Sequence, residues 1–324
     1  YANTCSGVIQ ISVGHSSVSP RQRVAAAVDV IIVNYNAGAL LVDCVRSLLG
    51  DDVHQVIVVD NLSADDSLAR LESLSPGEER LRIIRNDRNL GFSAACNIGL
   101  AAASSERLLF LNPDATMAPQ ALSRLLEVLD ADDTFGMVGG MLCNPDGSEQ
   151  PGGRRAFPTP GSAFIRAFRL SWLQRVAPRL FADFLLHQEP LPTVPVAVEA
   201  ISGACMLVKR AAVNDVGPWD EAYFLHCEDL DWCMRFRQKG WQVIFVPDAR
   251  VVHVWGACSR SRPVFVEWHK HHGMLRFYRK FYRRQYSGLL WALVIAGVWL
   301  RFAVLAVYHG FRQALNRLGV ARAA

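Results

Sequence analysis

No two cysteines in this chain stand at C-x-x-C spacing, although eight are present, at Cys5, Cys44, Cys96, Cys143, Cys205, Cys227, Cys233 and Cys258. Zinc ribbons and thioredoxin-type redox centres are thereby excluded, and a reducing compartment is the simpler expectation. Neither G-x-G-x-x-G nor G-x-x-x-x-G-K-[ST] occurs, which disfavours a dinucleotide-binding fold and a phosphate-loop ATPase. Charge of one sign is not in large excess either. The 34 Lys and Arg against 30 Asp and Glu leave a net charge of +4. The cations that do cluster, Lys270, Arg276, Arg279, Lys280, Arg283 and Arg284, adjoin a hydrophobic segment rather than ringing a groove, so nucleic acid is not the expected partner. Tyr1 to Pro20 has no charged start followed by a long apolar block and does not read as a secretory signal; residues 1–27 are expected to form an arm.

Apolar residues are plentiful, 51% of 324, enough for one large domain with a full core. From Val28 onward the pattern is regular. Val30 to Val33 is a β-branched run ending in Asn34-Tyr35-Asn36. Ala39 to Leu49 is helix-like, and Val53 to Val59 is a second run, ending in Asp60-Asn61. A helix from Ser63 to Leu74, a strand from Leu81 to Ile84 leading to Arg85-Asn86, and a small-residue helix from Ser93 to Ala103 after Asn89-Leu90-Gly91-Phe92 continue the alternation. The strand Arg107 to Leu111 ends in Asn112-Pro113-Asp114. Such alternation predicts an α/β fold with a mainly parallel, Rossmann-like sheet, whose ligands bind beyond the carboxyl ends of the strands. The polar clusters fall at that edge. Asn, Asp and Gly are also ordinary turn formers, so each cluster alone reads either way. Asp60 either caps the following helix or accepts hydrogen bonds from a ribose or base. Gly91 either supplies a positive φ or lets backbone approach a phosphate.

A second acidic cluster, Glu228-Asp229-Leu230-Asp231, follows the apolar run Tyr223-Phe224-Leu225 and opens a helix that ends at Gly240. In its first turn the helix dipole favours negative charge by about 0.3–1 kcal/mol per acid. The same position suits a general base facing a cleft, and the two readings are compatible. Pro113 makes a rigid corner that holds Asp114 away from its strand. A hard cation, Mg²⁺ or Mn²⁺, uses few protein carboxylates together with substrate phosphates, and Asp114 suits that role. His253, at the end of the strand-like runs Val243 to Val246 and Arg250 to Val252, is either a further ligand or a structural histidine. The two sites together imply metal-assisted group transfer with a carboxylate base.

Val30 to Asn36, Val58 to Ser63, Asn89-Leu90-Gly91-Phe92 with Asn97 and Gly99, Leu111 to Asp114, Ser202 to Leu207, Asp220 to Phe224 and Glu228 to Asp231 resemble, in order and spacing, glycosyltransferase family 2 across Val28 to about Tyr282. Within it the chain looks most like bacterial rhamnosyltransferases acting on lipid-linked acceptors. The resemblance implies a GT-A fold and inverting transfer from a nucleoside diphosphate sugar, a dTDP-sugar such as dTDP-rhamnose being favoured, to a polyprenyl-diphosphate glycan. By that analogy Asn34, Tyr35, Asn36, Asp60, Asn61, Arg85, Asn89, Gly91 and Asn112 surround the donor. Asp114 and His253 would hold Mg²⁺ or Mn²⁺, Asp229 would be the base with Glu228 and Asp231 beside it, and Gly203 and Trp219 would lie on the acceptor side. The family's D-x-D is here Asn112-x-Asp114, one acidic metal contact fewer. A non-catalytic nucleotide-sugar or membrane-binding module of the same fold is the rival reading.

Two segments stand apart from residues 28–282. Residues 141–198 are rich in proline and contain an aromatic, basic helix-like piece from Ala163 to Leu186. It is an insertion shaping the acceptor site, a membrane-facing helix using Phe164, Phe168, Trp172 and Leu173 beside Arg166, Arg169 and Arg175, or a core helix. Residues 283–324 form a basic and hydrophobic tail. Leu289 to Leu300 alone would be about 18 Å of helix, too short for a bilayer, whereas continuing through Tyr308 would just reach at about 30 Å. Arg283 and Arg284 precede this run and Arg312 and Arg317 follow it, so spanning, interfacial and re-entrant placements all remain, as does a buried helix of an oligomer. The tail and the basic belt predict attachment to an anionic membrane surface at the cytoplasmic face of a bacterial inner membrane.

Overall fold

The computed structural model describes residues 28–50, 52–74, 77–167, 184–254, 256 and 262–317. β1 (Val28–Asn34), α1 (Leu40–Arg46), β2 (Val53–Asp60), α2 (Ser67–Leu74), β3 (Leu81–Arg85), α3 (Phe92–Ala102) and β4 (Arg107–Leu111) alternate strand and helix. β5 (Ala115–Met117), α4 (Ala121–Asp130) and β6 (Phe135–Cys143) follow. Residues up to 201 add β7 (Arg154–Arg155), α5 (Pro160–Ala167), β8 (Val196–Ala197) and β9 (Ala200–Ile201). β10 (Cys205–Lys209), α6 (Arg210–Val216), α7 (Glu228–Gln238) and β11 (Gln242–His253) complete the sheet layer. α8 (Pro263–Phe281) and α9 (Gly288–Arg317) pack together at the end.

The main sheet runs β3-β2-β1-β4-β10-β6-β11-β5, with β8 added on β11. Its first four strands are parallel, as are β6 and β11, while β10 runs antiparallel between β4 and β6. The sheet is therefore parallel in its N-terminal half and mixed beyond it. Both faces are covered. In β1, Val28, Val30 and Ile32 pack into one core and Ile31 and Val33 into the other; in β2, Val56 and Val58 oppose Ile57 and Val59 in the same way. A period-2 pattern with apolar residues on both sides is what a strand between two helical layers requires.

Two elements depart from expectation for local reasons. The Ser63 hydroxyl and N–H both donate to Asp60 (2.6 and 3.0 Å), so the second helix begins at Ser67 rather than Ser63. The two runs before His253 are one strand, β11, whose register slips between Val246 and Arg250, where Pro247 lacks an N–H for the ladder. Of the expected helix from Ala163 to Leu186, α5 covers the beginning; Phe168, Arg169, Trp172, Leu173 and Arg175 lie outside the described residues.

The tail is a single 30-residue helix, not a run of twelve to twenty. Gly288–Leu315 is long and apolar enough to cross a membrane, and none of that stretch is buried. The basic belt is less available than its sequence suggests. Arg276 and Lys280 pair with Asp220 at 2.9 and 3.0 Å, Lys280 also pairs with Asp231 at 2.6 Å, and Lys270 pairs with Glu267 at 3.5 Å, so three of its cations are in ion pairs within the chain.

Candidate active site

A cavity of about 340 Å³ opens beyond the carboxyl ends of β1, β2 and β4, within the range of small-molecule sites. Tyr35, Asn61, Asn89, Gly91, Asn112 and Asp114 line one part of it, and Arg155, Gly203, Glu228, Asp229 and His253 another. Sheet topology brings both halves of the chain to this place.

Asn61 organises the loop after β3. Its Nδ2 donates to the Gly91 carbonyl (3.0 Å), while its Oδ1 accepts from Asn86 Nδ2 (2.9 Å) and the Leu90 N–H (3.3 Å). Gly91 has φ 86°, and a Cβ there would stand 2.7 Å from the Phe224 carbonyl oxygen. Both the left-handed conformation and the close approach demand glycine. The approach is held by the Phe92 N–H, which donates to that same carbonyl at 2.8 Å.

Asn34, Asn36, Asp60 and Arg85 of the expected donor set lie outside the lining of the cavity. Asn34 Nδ2 donates to Asp60 Oδ1 (2.8 Å) and Ser67 Oγ (2.9 Å), and both Asn34 and Asp60 are buried. They brace the layer beneath Tyr35 and Asn61. Asn36 Oδ1 accepts from the Ala64 N–H at 2.8 Å. Arg85 ends β3 on the solvent side and pairs with Glu72 of α2.

The register of β11 on β5 joins residues far apart in sequence. Val251 faces Met117 and His253 faces Ala115, so Asp114 and His253 meet at the ladder's end, where Nε2 lies 3.2 Å from Oδ1. Gln150 fixes the imidazole. Its Nε2 donates to the His253 carbonyl (2.5 Å) and to Asn144 Oδ1 (3.0 Å), which identifies Oε1 as the acceptor facing His253 Nδ1 at 2.9 Å. Nδ1 therefore carries a hydrogen, and Nε2 is the atom turned to the Asp114 carboxylate. An imidazole oriented through its other nitrogen is the usual form of a metal-ligating histidine. One carboxylate and one imidazole suit a divalent cation that takes its other ligands from phosphate and water. Among the described residues no third His, Cys, Asp or Glu joins them.

The acidic cluster is presented by a strained turn. His226 and Cys227 both adopt left-handed conformations (φ 68° and 70°) immediately before α7. Two such residues cost roughly 1–2 kcal/mol each. α8 packs against the turn at Gly273, where a Cβ would lie 2.7 Å from the His226 carbonyl oxygen. Asp229 Oδ2 accepts from Arg155 Nη2 and from the Gly203 N–H (3.2 Å), and Oδ1 from the Leu230 N–H (2.8 Å). Burial would raise its pKa, but the Arg155 guanidinium and these N–H groups outweigh burial and hold the carboxyl below its usual range. Glu228 goes the other way. Burial, reinforced by the charge of Asp229, pushes it up to about 8, and its Oε2 has no partner. Desolvation of a buried carboxylate, worth several kcal/mol, exceeds the dipole's contribution of about 1 kcal/mol at most.

Asp231 does not line the cavity. Two residues on from Asp229 it points to the other side of the helix, fully buried, where it pairs with Arg235 (2.7 Å) and Lys280 (2.6 Å) and accepts from the Tyr223 hydroxyl (3.3 Å). Trp219 is likewise in the core and not on an acceptor wall. It stacks on Trp232 at 4.1 Å between ring centroids and meets Phe110 edge-on at 5.3 Å. Arg155, Gln150, His226, Arg262 and Phe265 line the cavity without having been singled out. The pair Arg154-Arg155 directly after Pro151-Gly152-Gly153 is the one local signal in sequence, cations following a tight turn.

The family model described as Glycosyl transferase family 2 matches residues 29–216, and that described as Glycosyl transferase family group 2 matches residues 171–318. The N-acetylglucosaminyl-diphospho-decaprenol L-rhamnosyltransferase of Mycobacterium tuberculosis (strain H37Rv) is 28% identical over 237 residues, covering 69% of this chain and 75% of that protein. Rhamnosyltransferase WbbL of Escherichia coli (strain K12) is 26% identical over 242 residues, covering 72% and 85%. Among solved structures, the mannosyltransferase PcManGT from Pyrobaculum calidifontis, in complex with GDP-Man and Mn²⁺, superposes with a TM-score of 0.53 at 18% identity, covering 91% of this chain and 79% of that one. GalNAc-T7 with UDP, GalNAc and Mn²⁺ gives a TM-score of 0.53 at 19% identity over 75% of this chain, which spans 48% of that structure. These two share the GT-A fold. With its sheet, its cavity and a family model matching more than half its length, the chain belongs to glycosyl transferase family 2 and is a glycosyltransferase.

Proposed function

We propose that this glycosyltransferase moves a sugar, with inversion, from a nucleoside diphosphate donor to a lipid-linked glycan at a membrane surface. Rhamnose is the favoured sugar, as the names of both rhamnosyltransferase relatives suggest, and a polyprenyl-diphosphate sugar the favoured acceptor, as the name of the Mycobacterium tuberculosis relative suggests; the dTDP-sugar is favoured by the family resemblance. The observation that carries the reading is that the Asp229 carboxylate and the Asp114–His253 pair line one cavity. In it, the acceptor oxygen attacks the anomeric carbon as the bond to the diphosphate breaks, the electron pair leaving on the diphosphate oxygen. The acceptor proton passes to Asp229, which Arg155 and two N–H groups keep ionised and aimed. Tyr35, Asn61, Asn89 and Gly91 are the residues we assign to the nucleoside side. Asp114 and His253 would hold Mg²⁺ or Mn²⁺, which when bound supplies positive charge against the departing diphosphate.

Attachment to an anionic membrane is supported by α9, and the cytoplasmic face by the need for a nucleotide sugar made inside the cell. The test is transfer across a panel of nucleoside diphosphate sugars with an N-acetylglucosaminyl-diphosphate lipid as acceptor. Acceptor-dependent release of dTDP from dTDP-rhamnose supports donor and acceptor together. Release only from another donor overturns the rhamnose assignment, and full turnover by Asp229→Asn removes the base.

A further inference from the structure

The cavity has one wall that does not stop at its rim. Phe224 and Phe265 both line it, their rings edge to face at 5.7 Å. Phe265 sits in the first turn of α8 and remains 40% exposed. One turn further along the same face stands Trp268, 45% exposed. The Trp268 ring meets Trp299 (5.1 Å) and Phe302 (5.4 Å) of α9, which pack on each other at 5.7 Å. Beyond them α9 presents Leu300, Val304, Val307 and Phe311 to the outside. Two aromatic groups, Phe224 with Phe265 at the cavity wall and Trp268 with Trp299 and Phe302 against α9, thus stand one turn apart on α8 and lead from the cavity towards an exposed apolar helix.

We propose that Phe224, Phe265, Trp268, Trp299 and Phe302 form the track along which the isoprenoid chain of the acceptor lies, from the cavity to the surface of α9. The inference rests on the reading of the acceptor as lipid-linked. Chemistry then restricts the occupant. A chain covalently joined to the sugar reacting at Asp229 must leave the cavity, and an apolar chain leaves along apolar surface. Bilayer lipids have no such tie to a pocket containing Asp229 and Glu228. Arg262 lines the mouth just before Phe265, a cation where the diphosphate that joins sugar to chain would pass. Large rigid rings with partial exposure suit a flexible branched hydrocarbon, which gains contact area without requiring directional partners.

The experiment compares the protein and its Trp268→Ala and Phe302→Ala variants, both outside the cavity lining, on two acceptors, N-acetylglucosamine diphosphate carrying a geranyl or a decaprenyl chain. Both side chains are partly exposed, and thermal unfolding verifies that the variants stay folded. The wild type is expected to show a KM lower for the decaprenyl acceptor. Each variant should raise that KM on the order of tenfold, with the geranyl KM and kcat unchanged. Equal KM values for both chains in the wild type, or equal changes for both in the variants, overturn the track. Loss of vesicle binding by the variants without acceptor would assign the rings to the bilayer instead, and a changed oligomeric state would assign them to a second copy; either result refutes the proposal. If neither lipid is glycosylated while a free sugar is, the lipid-linked acceptor reading fails and the track fails with it. If both lipids are glycosylated without chain-length preference, only the track fails.

Discussion

Arg155 of β7 and Asp229 of α7 form an ion pair at the wall of the cavity, although they stand 74 positions apart in sequence. The β7–β9 register sets it up: Arg154 faces Ile201 and Arg155 faces Ala200, and Arg155 Nη2 also donates to the Ile201 carbonyl at 3.0 Å. The same short ladder leads to Gly203, whose N–H completes the hold on Asp229. A carboxylate held by a guanidinium and two N–H groups is well aimed and stays ionised into acid, at some cost in basicity.

Replacing Arg155 by Gln should therefore move the acidic limb of the kcat/KM profile to higher pH. Asp229 would lose the cation that holds its carboxyl down, while the burial that raises it would remain. His226, beside this pair in the cavity, is pushed down to about 4 by burial and then by Lys270, so it is neutral well above that pH and a limb moved towards neutrality is not its own. We expect kcat to fall about 10–100-fold, the range of a mispositioned general base. Arg155→Lys should restore part of the loss. A profile unchanged in the Gln variant would show that the ion pair does not tune the base.

Glu228 makes stability pH-dependent in the opposite sense from an ordinary salt-bridged acid. Its folded pKa is raised from 4.5 to about 8, so between those values the unfolded chain releases a proton that the folded chain keeps. The linked stability is fully present below pH 4.5 and is lost as the pH rises through about 8. Glu228→Gln should flatten that decline, giving a variant less sensitive to alkali than the wild type. Thermal unfolding of both proteins across this interval decides it; parallel curves would mean that Glu228 is ionised in the folded protein.

Asp114→Ala should weaken donor binding only when Mg²⁺ or Mn²⁺ is present, because the carboxylate acts through the cation. His253→Ala should do the same, and Gln150→Ala should give a smaller effect, on the order of tenfold, by releasing the imidazole. Calorimetric titration of dTDP-rhamnose with and without a chelator measures both. Equal affinities under the two conditions would remove Asp114 and His253 from a metal role.

Gly273→Ala should be more damaging than an ordinary helix substitution, where alanine normally stabilises by about 1 kcal/mol. The added Cβ would meet the His226 carbonyl at 2.7 Å, with backbone on one side and Cys227 beside it. Relief requires α8 to move away from the strained turn that presents Glu228 and Asp229. The expected outcome is a lower melting temperature together with a loss of kcat; a stabilised, fully active variant would show that the turn does not depend on α8.

Much of this protein is decided by local sequence. Val28 to Leu111 alternates β-branched runs and helical stretches, and apolar side chains on both faces of each strand compel helices above and below. Polar clusters at strand ends then fall along one edge, because every parallel strand finishes on the same side. Asp114 and His253 were legible as candidates for that reason, and Asp229 as an acid in the first turn of a helix. Tertiary structure alone decided which neighbours act. Asn34, Asp60 and Arg85 share the strand-end pattern of Asn61, yet side-chain pairing turns them beneath the wall or towards Glu72. Asp231 shares the cluster of Asp229, but two helical positions send it towards Lys280. Arg155 and Gln150 carry little local signal, since their roles come from a two-residue ladder and from a contact 103 residues away. A periodic pattern reports which face a residue occupies; the partner it meets there is set by registers and helix contacts between segments distant along the chain.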